Sequence, residues 1–224
     1  MSATLHVLRV FTDPAGQHGN QLGVFLDGSA IPEAGRQAVA RDLGFSETVF
    51  VDDARTGRIR IYTPGLELPF AGHPTVGTAW LLAEVGMSVE ALRVPAGLVR
   101  TWTEGDRRWI RARPEWVFPI TTAELASVDD VDAVVSPPPG ETSWYPWAWI
   151  DRHLGTIRSR FLAPEVGIPE DEATGAAAVV ITSRLGRDLE IVQGRGSRLS
   201  TRLGSDGSVD LGGRAVLDST RPYG

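Results

Sequence analysis

Two glycine-led segments contain residue types that could hold an anion. Residues 72–79 and 172–178 both place glycine and threonine directly before a run rich in alanine. A glycine at a helix start leaves the first-turn N–H groups unobstructed, and with the helix dipole these groups form a seat for a carboxylate or phosphate. Two such ends facing each other would clamp an anion. Alternatively, the small residues only allow close packing on a sheet; His73 and Asp171, which lie beside the segments, favour the functional interpretation.

The first half of the chain is predicted to surround one small-residue helix with strands. Apolar residues at helical spacing predict a helix over 31–43 that Gly44 ends, and a second helix from His73 to Gly86. Alternating apolar residues predict the strands of this half. These strands cover residues 5–11, 22–26, 46–51, 58–63, 92–94, 98–103 and 108–112.

The second half, which follows a proline-rich stretch, is also predicted to combine a small-residue helix with several strands. Residues 114–140 contain five prolines and an acidic pair, and are predicted to form an irregular connection. A buried helix is expected over 173–181. Strands are expected over residues 145–150, 155–162, 189–192, 198–203, 208–211 and 214–217. We therefore predict domains at 1–113 and 141–224, joined by 114–140, with the final strands able to return to the first domain.

The composition excludes several classes of protein. Hydrophobic residues make up 42% and charged residues 22%, as in an ordinary globular protein. The net charge of -6 and the lack of a basic run argue against nucleic acid as a partner. Apolar stretches fall far short of the roughly 20 residues that cross a bilayer, and the N-terminal sequence does not resemble a signal peptide, so we expect a cytoplasmic protein. The absence of cysteine excludes thiol nucleophiles, disulfides and cysteine-ligated metals.

The order and spacing of several short motifs resemble those of the PhzF-like family, which is named for phenazine biosynthesis and shares the diaminopimelate epimerase fold. The resemblance extends over nearly the whole chain. It rests on residues 11–12, 19–20, 46–50 (Ser-Glu-Thr-Val-Phe), 62–64, 67–75 (Glu-Leu-Pro-Phe-Ala-Gly-His-Pro-Thr), 77–79, 160–164, 167–171, 173–175 and 193–194.

The resemblance implies an α+β fold. Two similar domains would each form a mostly antiparallel, curled sheet or barrel around a central helix, with the active site between them and the second domain shortened. It also implies a homodimer that moves a proton within a small carboxylate substrate without a metal or organic cofactor, in the setting of secondary-metabolite biosynthesis.

The same resemblance assigns the site residues. Glu47 would be the acid/base, and a carboxylate shielded between domains has a pKa raised toward neutrality, so that it can accept and return a proton. His73 would donate a hydrogen bond or handle a second proton, and Asp171 would bind or polarise a polar substituent. The expected substrate-binding residues are Asn20, Gly72, Thr75, Thr174, Gly175 and Ala176.

Each catalytic assignment has a structural alternative. Glu47 could be an exposed glutamate at a strand end, His73 could cap a helix through its ring, and Asp171 could cap the following helix while also binding substrate.

Two departures from the family pattern concern the substrate. Ala176 stands where phenazine-pathway members commonly have serine, and the region between Arg111 and Gly155 is shorter than the family's usual connection. Within it, Trp144, Trp147 and Trp149 could form an aromatic wall against a planar substrate or pack on the core; packing is favoured.

The function that these residues favour is an isomerase. Without cysteine, racemisation by paired thiols is excluded, and one carboxylate that removes and returns a proton on the same face suits allylic or keto–enol isomerisation. A non-catalytic binding relative is the alternative, and it would be favoured if Glu47 were exposed and remote from His73 and Asp171. A hydrolase with a Glu47–Asp171 carboxylate pair is the third choice.

Overall fold

The computed structural model describes residues 3–166 and 168–224. Met1, Ser2 and Gly167, the last of which belongs to the 167–171 motif, lie outside the described residues.

In the first half, helix α1 (Glu33–Leu43) and helix α2 (Gly72–Glu84) alternate with strands. The strands are β1 (Ala3–Thr12), β2 (Asn20–Phe25), β3 (Glu47–Asp53), β4 (Arg58–Tyr62), β5 (Glu67–Leu68), β6 (Ala91–Val94), β7 (Gly97–Glu104) and β8 (Arg107–Ala112). Short 3-10 turns lie at Gly28–Ala30, Pro114–Trp116 and Pro164–Val166.

The second half contains the short helix α3 (Val128–Asp132) and the buried helix α4 (Gly175–Leu185). Its strands are β9 (Thr121–Glu124), β10 (Trp144–Asp151), β11 (Thr156–Ser159), β12 (Phe161–Ala163), β13 (Ile168–Asp171), β14 (Leu189–Gln193), β15 (Ser197–Leu203) and β16 (Val209–Tyr223).

Two curled sheets share the last strand. Neighbouring strands follow the order β1-β2-β3-β4-β6-β7-β8-β16, and β16 also pairs with β1, which closes the first sheet into a ring. From β16 the order continues through β15, β14, β11, β10, β12 and β13. Most of these pairs are antiparallel. The predicted α+β fold class, with curled sheets around central helices, is confirmed; the division into domains at 113 and 141 stays a prediction.

Helix α2 lies inside the first ring, and its composition explains why. Small and apolar residues cover most of its circumference, as expected for a helix that is largely buried, and its last residue, Glu84, is exposed. Val76, Ala79 and Leu82 belong to the main core, together with Leu8 and Val49 from the surrounding strands. The ring therefore holds the N-terminus of α2 at a fixed position.

The prediction that residues 114–140 are irregular throughout was wrong. Strand β9 pairs in parallel with β10, and helix α3 follows it. The Ser127 Oγ accepts a hydrogen bond from the Asp130 backbone N–H at 3.2 Å, which caps α3. Asp129 and Asp130 also lie in the first turn, where the helix dipole favours negative charge. The acidic pair was thus a helix-start signal.

Two strand boundaries were also wrong. The predicted strands 208–211 and 214–217 are one strand, β16, because its first part pairs with β8 and β15 and its second part pairs with β1. The residues between them, Gly212 and Gly213, leave room for the rings of Trp109 and Phe11 instead of forming a turn. Conversely, the predicted strand 155–162 is divided into β11 and β12.

Among the helices of the described residues, none combines the length and the apolar character that a membrane crossing requires.

Candidate active site

Glu47 is the first residue of β3, which aligns it with Leu22 of the parallel strand β2. Its side chain is only 16% exposed, and Oε2 lies 3.3 Å from Nδ1 of His73. Oε2 is fully buried and accepts no hydrogen bond from the described residues. Glu47 is therefore not an exposed glutamate at a strand end.

His73 is the second residue of α2 and is 3% exposed. Its Nδ1 faces Glu47, whereas Nε2 is buried without a hydrogen-bond partner in the described part of the chain. The residue at the N-cap position of α2 is Ala71, which makes no side-chain cap. The imidazole is thus directed at the carboxylate and leaves one ring nitrogen for another group.

Asp171 ends β13 and is held by hydrogen bonds on both oxygens. Oδ1 accepts from the Asn20 side-chain amide at 2.6 Å, and Oδ2 accepts from the Thr174 hydroxyl at 2.6 Å. The Asn20 amide also donates to the Ala173 carbonyl at 3.2 Å, and its Oδ1 accepts from the Ser46 hydroxyl at 3.3 Å. Asn20 therefore links Asp171 to the residue that precedes Glu47.

Gln193 was not among the predicted site residues, although it lies in one of the motifs. Its side chain is fully buried. The amide oxygen accepts from the Thr174 backbone N–H at 3.1 Å, and the amide nitrogen donates to the Asp171 carbonyl at 3.0 Å and to the Thr174 hydroxyl at 2.9 Å. These three hydrogen bonds fix the segment from Asp171 to Thr174, which leads into α4.

The N-termini of α2 and α4 meet at two glycines. A Cβ atom on Gly72 would lie 2.9 Å from the Gly175 Cα, and one on Gly175 would lie 3.0 Å from the Gly72 Cα. Either Cβ would also lie 2.8 Å from the Leu211 side chain. Only glycine permits this approach, which brings the positive ends of two helix dipoles together.

The remaining predicted residues lie in the same helix starts. The Thr75 hydroxyl donates to the Ala71 carbonyl at 2.6 Å, so its proton is used within α2. Ala176 is buried in the first turn of α4, beside Gly175. The structure thus brings all nine predicted site residues to the two helix N-termini and the strands that flank them.

Burial changes the protonation of the three titratable groups. It raises the pKa of Glu47 to about 7, against the opposing hydrogen bond of Ser46. It lowers the pKa of His73 to about 4, although the charge of Asp171 opposes this. Burial, followed by the charge of Glu47, raises the pKa of Asp171 to about 6. Near pH 7, Glu47 can therefore accept or release a proton beside a neutral imidazole.

The pH dependence of stability tests this burial of Glu47. The native state keeps the Glu47 proton up to about pH 7, whereas the unfolded chain releases it near the ordinary pKa of 4.5. Between these values the native state binds more protons, so the Glu47 contribution to stability falls as pH rises, and it levels off above about 7. Relative to wild type, Glu47→Gln should gain about 3 kcal/mol of unfolding free energy across this window.

Urea titrations at several pH values measure this difference. Glu84→Gln, a change at an exposed residue of α2, serves as the control and should show no such trend. An unfolding free-energy difference between Glu47→Gln and wild type that stays constant from pH 4.5 to 7 would contradict the raised pKa.

The tryptophan segment packs against the core. Trp144 is 7% exposed and Trp147 is 3% exposed. The Trp147 ring contacts the ring of Trp149 edge to face, with centroids 5.2 Å apart. This burial supports the packing interpretation over an aromatic wall for substrate.

The described residues contain no group of three or more His, Cys, Asp or Glu side chains placed to hold a metal ion.

Solved structures share this fold. A hydroxyproline epimerase from Agrobacterium vitis has this fold, with a TM-score of 0.65 at 12% identity over 99% of this chain and 92% of that one. A PhzF-family protein from Bacillus anthracis is more similar, with a TM-score of 0.81 at 20% identity over 100% and 99% of the two chains.

The sequence comparisons identify the family. Residues 8–138 match the model of the phenazine biosynthesis-like proteins, and the chain belongs to this family. It is 31% identical to trans-2,3-dihydro-3-hydroxyanthranilate isomerase from Pseudomonas fluorescens, over 79% of this chain and 80% of that protein. It is 30% identical to an uncharacterized isomerase from Deinococcus radiodurans, over 90% of this chain and 83% of that protein. The family and the enzyme class, an isomerase, that the sequence motifs predicted are confirmed.

Proposed function

We propose that this chain is a cofactor-independent isomerase in which Glu47 moves a proton between two carbon atoms of a small cyclic carboxylic acid. One observation supports this most strongly: the Glu47 Oε2 is buried 3.3 Å from the His73 imidazole, at the junction of two helix N-termini. The relatives from Pseudomonas species make trans-2,3-dihydro-3-hydroxyanthranilate the first substrate to test.

The proposed reaction balances with one acid/base group. The Glu47 carboxylate removes a proton from carbon, the electrons of the C–H bond shift a double bond along the ring, and the resulting carboxylic acid protonates a second carbon on the same face. No net oxidation occurs, and the carboxylate is regenerated. A pKa of about 7 suits both steps at neutral pH.

The neighbouring groups have distinct proposed roles. The substrate carboxylate binds at the N–H groups that begin at Gly72 and Gly175, where two helix dipoles converge. Neutral His73 donates or accepts a hydrogen bond at the substrate. Asp171, held by Asn20 and Thr174, accepts from a hydroxyl or ammonium substituent. Because Ala176 stands in place of the serine of phenazine-pathway members, the start of α4 has one hydroxyl fewer, which favours a substrate with one fewer polar contact there.

Two observations favour this proposal over the alternatives. The binding-protein alternative expects Glu47 to be exposed and remote from His73, but the two side chains are in contact and buried. Against the hydrolase alternative, the relatives from Pseudomonas fluorescens and Deinococcus radiodurans are named as isomerases. The homodimer and the cytoplasmic location stay predictions.

The experiment that tests the function follows carbon-bound hydrogen. The wild-type protein is incubated in deuterated water with trans-2,3-dihydro-3-hydroxyanthranilate and with a panel of small allylic and cyclic carboxylic acids. Proton NMR should detect an isomer with a shifted double bond and deuterium at one new position. Binding of panel members without a shifted double bond and without exchange of any carbon-bound hydrogen would reject the proposal in favour of a binding protein.

Gln193 is predicted to act as a positioning residue. Gln193→Leu removes three hydrogen bonds from the Asp171–Thr174 segment, so kcat should fall by about 10²-fold, as for other small misplacements of reacting groups. Without Gln193 to position it, the Thr174 hydroxyl should donate less well to Asp171, which should raise the pKa of Asp171 further and shift the pH–rate profile toward higher pH. Gln37→Leu, which removes one bond to the Thr63 carbonyl, is the matched control. An unchanged pH profile would assign Gln193 a purely structural role.

A further inference from the structure

A cavity on the first sheet lies outside the site described above. It has a volume of about 380 Å³ and is lined by Glu90, Arg100, Thr101, Trp102 and Arg111. This volume is within the range of roughly 300–1,000 Å³ that small-molecule sites occupy. The lining combines one aromatic ring with two guanidinium groups.

The aromatic ring is held rigidly. Trp102 stacks on Trp109 of the neighbouring strand β8, with ring centroids 6.3 Å apart and planes only 9° apart. Trp109 is itself 1% exposed and is covered by the Arg202 guanidinium at 4.1 Å from its ring centroid. Trp102, by contrast, is partly exposed. The Arg111 guanidinium lies over the Trp102 ring, 5.9 Å from its centroid, so the indole is fixed by the stack and by this guanidinium at the cavity wall.

The two guanidinium groups of the cavity differ in their freedom. Arg111 is fixed by Asp210, which accepts from Nε at 2.7 Å and from Nη2 at 3.0 Å. Arg100 is exposed and forms no ion pair with any residue that the structure describes, and the same is true of Glu90. Arg100 is thus free to bind an anionic group.

A buried cation stands directly behind the cavity wall. Arg108 is 4% exposed and donates to Thr101 Oγ1 at 2.5 Å, to Thr103 Oγ1 at 2.9 Å and to the Val89 carbonyl at 3.4 Å. All three acceptors are neutral, and Nε has no partner in the described part of the chain. Burial lowers the pKa of Arg108, yet an arginine stays charged at neutral pH.

An uncompensated cation at low dielectric creates a positive potential around it. Thr101, which Arg108 contacts, is also part of the cavity lining. Arg111 is paired with Asp210, so the charges of Arg108 and Arg100 at the cavity outweigh the single negative charge of Glu90, although the chain as a whole carries a charge of -6.

We propose that this cavity binds a small planar aromatic carboxylate. The ring of the ligand packs on Trp102 beside the Arg111 guanidinium, and its carboxylate pairs with Arg100 in the positive potential of Arg108. The fixed indole selects a flat ring, whereas the free guanidinium selects the carboxylate. This site uses none of the residues assigned to the proton transfer.

Benzoate is the probe for this proposal. Two-dimensional NMR of ¹⁵N-labelled protein follows the indole N–H signals, and Trp102→Leu assigns the Trp102 signal by its loss. Benzoate should shift the Trp102 signal saturably, and Arg100→Ala, a change at an exposed residue, should weaken this binding about tenfold or more. Cyclohexanecarboxylate, which has the charge without the flat ring, should bind more weakly than benzoate.

Two variants separate this site from others on the molecule. Arg93→Ala changes an exposed arginine in a second groove, of about 610 Å³, and should leave benzoate binding unchanged. Glu47→Gln should also leave the Trp102 shift unchanged, because it alters only the proton-transfer site. A Trp102 signal that does not move with benzoate, or an equal affinity in Arg100→Ala, would overturn the proposal. Equal binding of cyclohexanecarboxylate would overturn the assignment to an aromatic ligand.

Discussion

Glu47→Gln is expected to lower kcat by about 10³-fold while leaving KM within a few-fold of the wild-type value. Glutamine keeps the shape of the side chain and can still contact the His73 imidazole, which lies 3.3 Å from Glu47 Oε2. It cannot accept a proton from carbon at neutral pH. Substrate binding should persist because the helix N-termini at Gly72 and Gly175 are unchanged.

Steady-state kinetics with the isomerised substrate measure this effect. Glu84→Gln, at an exposed position on α2, is the control and should keep the wild-type kcat. Because burial of a charged Glu47 is unfavourable near neutral pH, Glu47→Gln should be folded and at least as stable as wild type there. A folded Glu47→Gln protein with kcat within tenfold of wild type would remove Glu47 from the reaction.

Gly175→Ala should damage stability and activity together. The added Cβ would lie 3.0 Å from the Gly72 Cα, 3.0 Å from the His73 backbone nitrogen and 2.8 Å from the Leu211 side chain. The first two are backbone atoms and cannot move without displacing α2. We expect the free energy of unfolding to fall by about 1–3 kcal/mol, as in other overpacked cores. Separation of the two helix starts should also lower kcat/KM by about 10²-fold.

Urea unfolding and kinetics of the same samples check both effects. Gly35→Ala is the matched control, since it lies in α1 and a Cβ there meets only Ile31 at 4.0 Å. That variant should keep its activity and gain up to about 1 kcal/mol of stability, because alanine is the better helix former. Wild-type activity in Gly175→Ala would show that the close approach of the helices is dispensable.

The sequence predicted those parts of the fold in which local pattern and tertiary environment agree. Alternating residues in β1 and β4 face a core on one side, and the apolar residues at helical spacing that predicted α2 lie on a largely buried helix. The two glycine-led helix starts at Gly72 and Gly175 were also predictable from their local context, whereas their approach to each other follows from the fold. In β1, β4 and α2 the residue types that form the element also determine where it packs.

Other features depend on partners that are distant in the chain. Gly212 and Gly213 look like a turn locally, but pairing with β8, β15 and β1 makes β16 continuous. Strand β9 exists because it pairs with β10, about twenty residues further along the chain.

The contacts of the site's supporting groups could not be predicted for the same reason, although Asn20 itself was expected at the site. Asn20 bonds Asp171 across 151 positions, and the contacts of Gln193 with Thr174 follow from the fold alone. The pKa of Glu47 likewise depends on burial, which its strand-end position does not disclose.

The most direct test of the central claim follows a labelled hydrogen. Substrate with deuterium on the carbon that loses its hydrogen is converted in ordinary water, in a single turnover, by excess wild-type or Glu47→Gln protein. The wild type is predicted to return part of the deuterium to the product on the same face, because the Glu47 Oε2 that carries it is shielded from water. Glu47→Gln is predicted to leave the deuterium in the substrate. Removal of deuterium by Glu47→Gln at the wild-type rate would contradict the claim that Glu47 carries the proton.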